Sequence, residues 1–151
     1  MTKTEFVYVT YIAATPQRIW DALLEPEFTR QYWGHDNVSD WKPGSSWEHR
    51  DVEQAGRVRL VGKVLESDPP RRLVLTWADP ADAGRPAEHS RVTLLLEPVE
   101  GMVKLTVRHE ELVAGSGMHE GIVEGWPRVL SSLKSLLETG KPLPTWAKVA
   151  R

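Results

Sequence analysis

The side chains with most scope for chemistry are five histidines, His35, His49, His89, His109 and His119, and seven tryptophans. Imidazole changes charge near neutrality, so acid–base work and metal ligation are the first chemistries to consider. No two histidines stand three or four residues apart on a predicted helix, so a zinc site would need ligands gathered from distant segments, and no metal is expected. His49 and His109 differ from the rest. His109 follows Val103, Leu105 and Val107 at two-residue steps, and His49 is two residues from Trp47, so each shares a strand face with apolar neighbours. A polar ring on such a face needs a partner or a purpose. The favoured reading is a hydrogen-bonded group in a pocket wall or rim that orients a ligand oxygen, with acid–base catalysis as the alternative. Glu110 and Glu111 fall at a strand end and are expected to be solvated.

Trp33, Trp47, Trp77 and Trp126 are expected to ring a cavity, where large rigid indoles suit planar hydrophobic molecules, with core filling as the bland alternative. Trp20 and Trp146 are assigned to packing. Gly115, Gly117 and Gly121 superficially resemble a dinucleotide loop, but the third glycine comes one residue late and no βαβ unit surrounds it. Ser116 has glycine on both sides rather than two residues away, so it is no nucleophile elbow.

These residues must be positioned by a long helix and a set of strands. Met118–Thr139 has its apolar residues, including Ile122, Trp126, Leu130, Leu133 and Leu137, at spacings of three and four. Gly140 ends it and Pro142 prevents continuation. Its first half holds Gly121, Gly125 and Pro127, so a bend near Trp126 is expected, and residues 118–126 read as a gate; a helix starting only at Pro127 is the alternative. Ahead of it, Glu5–Ile12 reads as a strand whose inward face, Phe6/Tyr8/Thr10 or Val7/Val9/Tyr11, alternation leaves undecided. Thr15-Pro16 caps a helix through about Leu24, and Pro26 opens a second short one. Gly34–Asp40 is irregular or a short strand. Ser45–Arg50, Arg57–Glu66, Arg72–Trp77, Arg91–Glu97 and Val103–His109 read as further strands with hairpin-length links, and Ala78–His89 as the longest exposed loop. Gly62 in mid-strand marks a bend or a close approach.

The chain has 151 residues and no cysteine, with a formal charge of −2. It is expected to form one domain over residues 1–151, without disulfides or a thiolate nucleophile. Acidic and basic residues are interspersed, so nucleic acid is not an expected partner. No stretch reads as a signal peptide or membrane span, and a cytoplasmic address is expected. The Asn37-Val38-Ser39 sequon has no meaning without export.

Several pieces taken in order resemble the START and Bet v 1-like helix-grip superfamily, and within it single-domain bacterial proteins similar to the C-terminal domain of the Hsp90 ATPase activator. They are Ala14-Thr15-Pro16 with Ile19-Trp20-Asp21-Ala22-Leu23, Tyr32-Trp33, Trp41-Lys42-Pro43-Gly44-Ser45, Pro69-Pro70-Arg71-Arg72-Leu73 with Thr76-Trp77, and Gly125-Trp126-Pro127. The resemblance implies an α+β helix-grip fold: a seven-stranded antiparallel sheet around a long C-terminal helix, with two short helices after the first strand and an apolar cavity inside.

The expected function is binding of a small hydrophobic molecule, aromatic or polyketide-like, with no cofactor. The expected contacts are Trp33, Trp47, His49, Trp77, His109, Met118, Ile122, Trp126 and Leu130. The resemblance also suggests an Hsp90-type co-chaperone or stress-response partner, and a cavity enzyme such as a cyclase, dehydratase or hydrolase is a third class. Monomer and homodimer both fit the exposed edge strands.

Overall fold

The first and the last α-helix each start where the sequence offers a side-chain cap. The Thr15 hydroxyl accepts from the Arg18 N–H at 3.2 Å and Pro16 takes the first helical position. Ser116 caps the long helix through the His119 N–H at 3.1 Å, and Gly140 closes it with φ 83°. The computed structural model describes residues 2–54 and 56–144; Trp146 lies outside them. The order is β1 (Lys3–Ile12), α1 (Pro16–Leu24), α2 (Pro26–Tyr32), β2 (His35–Ser39), β3 (Ser46–Asp51), β4 (Val58–Asp68), β5 (Arg72–Trp77), β6 (Ser90–Val99), β7 (Met102–Val113) and α3 (Gly117–Thr139). Two short 3-10 turns, Pro80–Asp82 and Pro86–Glu88, stiffen the loop between β5 and β6.

The strands form one antiparallel sheet in the order β1-β7-β6-β5-β4-β3-β2. Short links, with the longer loop between β5 and β6 as the exception, make β2 to β7 a meander, and β7 returns to pair with β1. The two short helices carry the chain from one sheet edge to the other. The alternation that left β1 undecided is settled by packing: Phe6 and Tyr8 lie against the core, whereas Val7, Val9 and Tyr11 are 41–49% exposed.

Helix α3 runs unbroken through Gly121, Gly125 and Pro127. Burial of Ile122, Trp126, Val129, Leu130, Leu133, Leu136 and Leu137 explains why. Each large apolar side chain contributes roughly 1.5–3 kcal/mol, which together outweighs the roughly 3 kcal/mol cost of an interior proline. The stretch 118–126 is therefore helix, not loop. The C-terminal half is tied to the end of β1: Glu138 accepts from the Ala13 N–H at 2.8 Å, and Lys134 bonds both Glu138 and the Tyr11 carbonyl. Arg18 adds a bond to the Leu137 carbonyl at 3.2 Å.

At Gly62 a close approach, rather than a free bend, explains the missing side chain. A Cβ there would overlap the Thr76 carbonyl oxygen and the Trp47 indole nitrogen, which are hydrogen-bonded to each other at 2.8 Å. Gly62→Ala is expected to destabilise the fold by about 3 kcal/mol through overpacking, measured by urea unfolding. A loss below about 0.5 kcal/mol would show that the contact yields freely.

Candidate functional site

A cavity of about 850 Å³ opens between the N-terminal half of α3 and the sheet. Helix α3 supplies Met118, Ile122, Trp126 and Val129, and α2 hands Trp33 into the wall. Strand β3 and the end of β5 bring His49 and Trp77, and the loop after β5 forms the mouth. Three indoles meet here. Trp126 lies between Trp33 and Trp77, with ring centroids 5.7 and 5.5 Å away. Gly117, Gly121 and Gly125, at four-residue steps, also line the cavity, and a Cβ on any of them would meet nothing within 4 Å. Their backbone is ordinary helix, so neither strain nor crowding calls for glycine. What the absent side chains leave is open space.

Behind the indoles runs a one-way hydrogen-bond chain. The Trp126 indole N–H donates to His109 Nδ1 at 3.1 Å, and an indole can only donate, so Nδ1 bears the lone pair and Nε2 the proton. His109 Nε2 donates to the Ser90 hydroxyl at 2.7 Å, and Ser90 donates to the Trp77 carbonyl at 3.1 Å. His109 is completely buried, and that burial lowers its pKa to about 3. Both nitrogens are committed. The ring is a positioning residue that fixes Trp126 of α3 against β6 and β7.

His49 is set differently. The Leu23 carbonyl accepts from Asn37 Nδ2 at 3.0 Å, which turns Asn37 Oδ1 towards His49 Nδ1, 2.6 Å away. Nδ1 therefore carries the proton, and Nε2 keeps a lone pair with no partner among the described residues. Burial first, then the charges of His35 and Arg59, hold the His49 pKa well below its ordinary value. His35 stacks on His49 at 4.3 Å and bonds the Trp33 carbonyl at 3.0 Å and Asp51 at 3.0 Å. The Trp77 indole nitrogen is buried and also without a partner. The cavity wall thus presents a neutral acceptor among apolar surfaces, while the spare Trp77 donor is buried away from the open space.

A model of the family described as Activator of Hsp90 ATPase homolog 1-like protein matches residues 13–138. The chain belongs to this family. A comparison of this AHSA1-like sequence with curated proteins gives no significant match. Solved structures share its fold. The Aha1 dimer from Colwellia psychrerythraea is 22% identical, with 91% of this chain and 98% of that one covered and a TM-score of 0.75. CalU16 from Micromonospora echinospora is 19% identical over 90% of this chain and 77% of that one, with a TM-score of 0.71. An HSP90 activator from Plasmodium falciparum is 22% identical over 88% and 95%, with a TM-score of 0.71. The helix-grip architecture of this AHSA1-like chain agrees with all three.

Of the residues expected to touch a ligand, Trp33, His49, Trp77, Met118, Ile122 and Trp126 line the cavity. Trp47, His109 and Leu130 do not; they are buried behind that wall, Trp47 with its ring 5.2 Å from Trp77. Alternation places a residue on the inner face but not in front of or behind its neighbours. Sequence reading takes Gly121 and Gly125 as helix weakeners and Gly117 and Gly121 as a superficial likeness to a dinucleotide loop, although the four-residue spacing of all three, which puts them on one face, is visible. Asn37 gave no signal, since its role depends on Leu23 and His49 meeting it. Among the described residues, no three His, Cys, Asp or Glu side chains are placed to hold a metal. Among the described residues no helix is long and apolar enough to cross a membrane.

The buried, neutral His109 makes stability pH-dependent. Below an ordinary histidine pKa of about 6.5 the unfolded chain takes up a proton that the folded chain refuses until about pH 3. Stability is therefore present above that ordinary value and is lost as pH falls through the window. Between about pH 6 and 5 the wild type should lose up to about 1.4 kcal/mol per pH unit more than His109→Gln, read from urea midpoints. Parallel pH profiles would contradict a neutral buried His109.

Proposed function

We propose that this protein binds a small, flat, mainly apolar molecule in the cavity between the sheet and the N-terminal half of α3. The observation that carries the reading is the glycine stripe. Three helical glycines face the cavity where side chains would fit without collision, although alanine would stabilise the helix interior by roughly 1 kcal/mol at Gly121 and again at Gly125. Trp33, Trp77 and Trp126 supply flat apolar walls, with Met118 and Ile122 beside them. His49 Nε2 accepts from a ligand hydroxyl or amine, while Trp47, His109 and Leu130 hold the wall from behind. Burial provides most of the affinity, at about 25 cal/mol per Å² of apolar surface before the costs of association. Proton transfer is not part of this reading, because both His109 nitrogens are occupied and His49 is a weak base.

Trp126→Ala is a blunt test, since Trp126 also packs the core and satisfies His109; it should cost about 3–5 kcal/mol of stability as well as binding. Gly125→Leu separates the two. It should leave stability unchanged or raise it by up to about 1 kcal/mol while reducing affinity for anthracenemethanol at least tenfold, followed by quenching of tryptophan emission. Unchanged affinity in a folded Gly125→Leu protein would overturn the site.

A second reading, a protein-partner module in stress response, is favoured by the family description itself and by the neighbour that is an HSP90 activator. Its test is retention of this protein on an immobilised Hsp90-type chaperone, and absence of retention counts against it.

A further inference from the structure

We propose that the molecule taken by this cavity carries a cationic group, a protonated amine or quaternary ammonium, on its flat apolar body. The inference rests on the ligand-binding reading above and concerns the charge of the ligand. Asp79, Asp82 and Glu88 line the mouth, and among the described residues no lysine or arginine does. Arg85 approaches Asp82 at 3.3 Å and Glu88 at 3.6 Å but is itself 66% exposed, so it offsets one charge of three. Asp79 accepts from the Ala81 N–H at 2.9 Å, which fixes one of its oxygens without neutralising it.

A second observation lies deeper. His49 is only 3% exposed, lines the same cavity, and keeps its Nε2 lone pair without a partner among the described residues. It accepts from an N–H and gives nothing to a carboxylate. The indole faces of Trp33, Trp77 and Trp126 favour positive charge as well, through the negative face of the ring. Three features oppose this. The charges of His35 and Arg59 reach His49, but both side chains are paired with Asp51. The Trp77 N–H is a donor, but it is buried away from the open space. The positive end of α3 also borders the cavity, but it is capped by Ser116 and carries Glu120 in its first turn. The balance at the mouth is negative, and the walls between mouth and His49 tolerate a cation.

Three fused-ring probes of matched shape test this on the intact protein: anthracenemethylammonium, anthracenemethanol and anthracenecarboxylate, titrated against tryptophan emission at neutral pH. At low salt the ammonium should bind roughly tenfold more tightly than the carboxylate, with the alcohol between, and the gap should narrow as salt screens the exposed carboxylates. The triple variant Asp79→Asn, Asp82→Asn, Glu88→Gln should bring the ammonium-to-carboxylate ratio towards one. Because Asp79 and Asp82 shape the loop, the single variant Glu88→Gln is measured beside it and should lower the ratio in part. Equal affinity for all three probes, or tighter binding of the carboxylate, overturns the charge assignment and leaves the cavity reading standing. Binding of none of them overturns both.

Discussion

The hydrogen-bond chain from the Trp126 indole through His109 and Ser90 to the Trp77 carbonyl holds the cavity half of this molecule together. It joins α3 to β7, β6 and β5 in three bonds, and each group in it has one direction in which it can donate. Proton positions are therefore fixed without a charge, which a completely buried site requires. The two ends of the chain are the tryptophans that form the cavity wall. A helix that packed on the sheet through leucines alone could slide or rotate by fractions of a turn. A bonded indole sets its rotation.

With rotation set, α3 serves two purposes along one length. Its C-terminal half is conventional, with leucines inside and ion-paired side chains tied to the end of β1. Its N-terminal half presents glycines to open space, and the core is not closed there. The apolar surface left uncovered costs stability that the remainder of the buried face must supply. Large residues on the adjacent spokes of the same turns, Ile122 and Trp126, keep that half attached while the glycine face stays clear.

Much of the architecture was legible from local signals. Thr15-Pro16, Gly140 and the hairpin-length links are instructions carried by one or two residues, and they give the order of elements directly. The face of β1 was not legible, because Phe6, Tyr8, Val7, Val9 and Tyr11 are all apolar, and only pairing with β7 and contact with the core choose between the sets. The same limit applies to the site. His109 stands out as a histidine on an apolar face, but its role is decided by Ser90, nineteen residues earlier, and by Trp126, seventeen later. His49 becomes an acceptor only because Leu23 orients Asn37. Such roles are made by juxtaposition of segments, and no single window of sequence contains them.

The central claim, an open cavity walled by a bonded Trp126, is tested most directly by nitrogen-15 NMR of the indole N–H groups during titration with anthracenemethanol. The predicted result is a Trp126 indole proton that exchanges slowly with solvent, with saturable shifts at Trp33, Trp77 and Trp126 while Trp20 stays still. Trp20 borders a separate groove beside Trp41, across α1 and β2. Shifts centred on Trp20 and Trp41, or a Trp126 proton that exchanges freely, would contradict it.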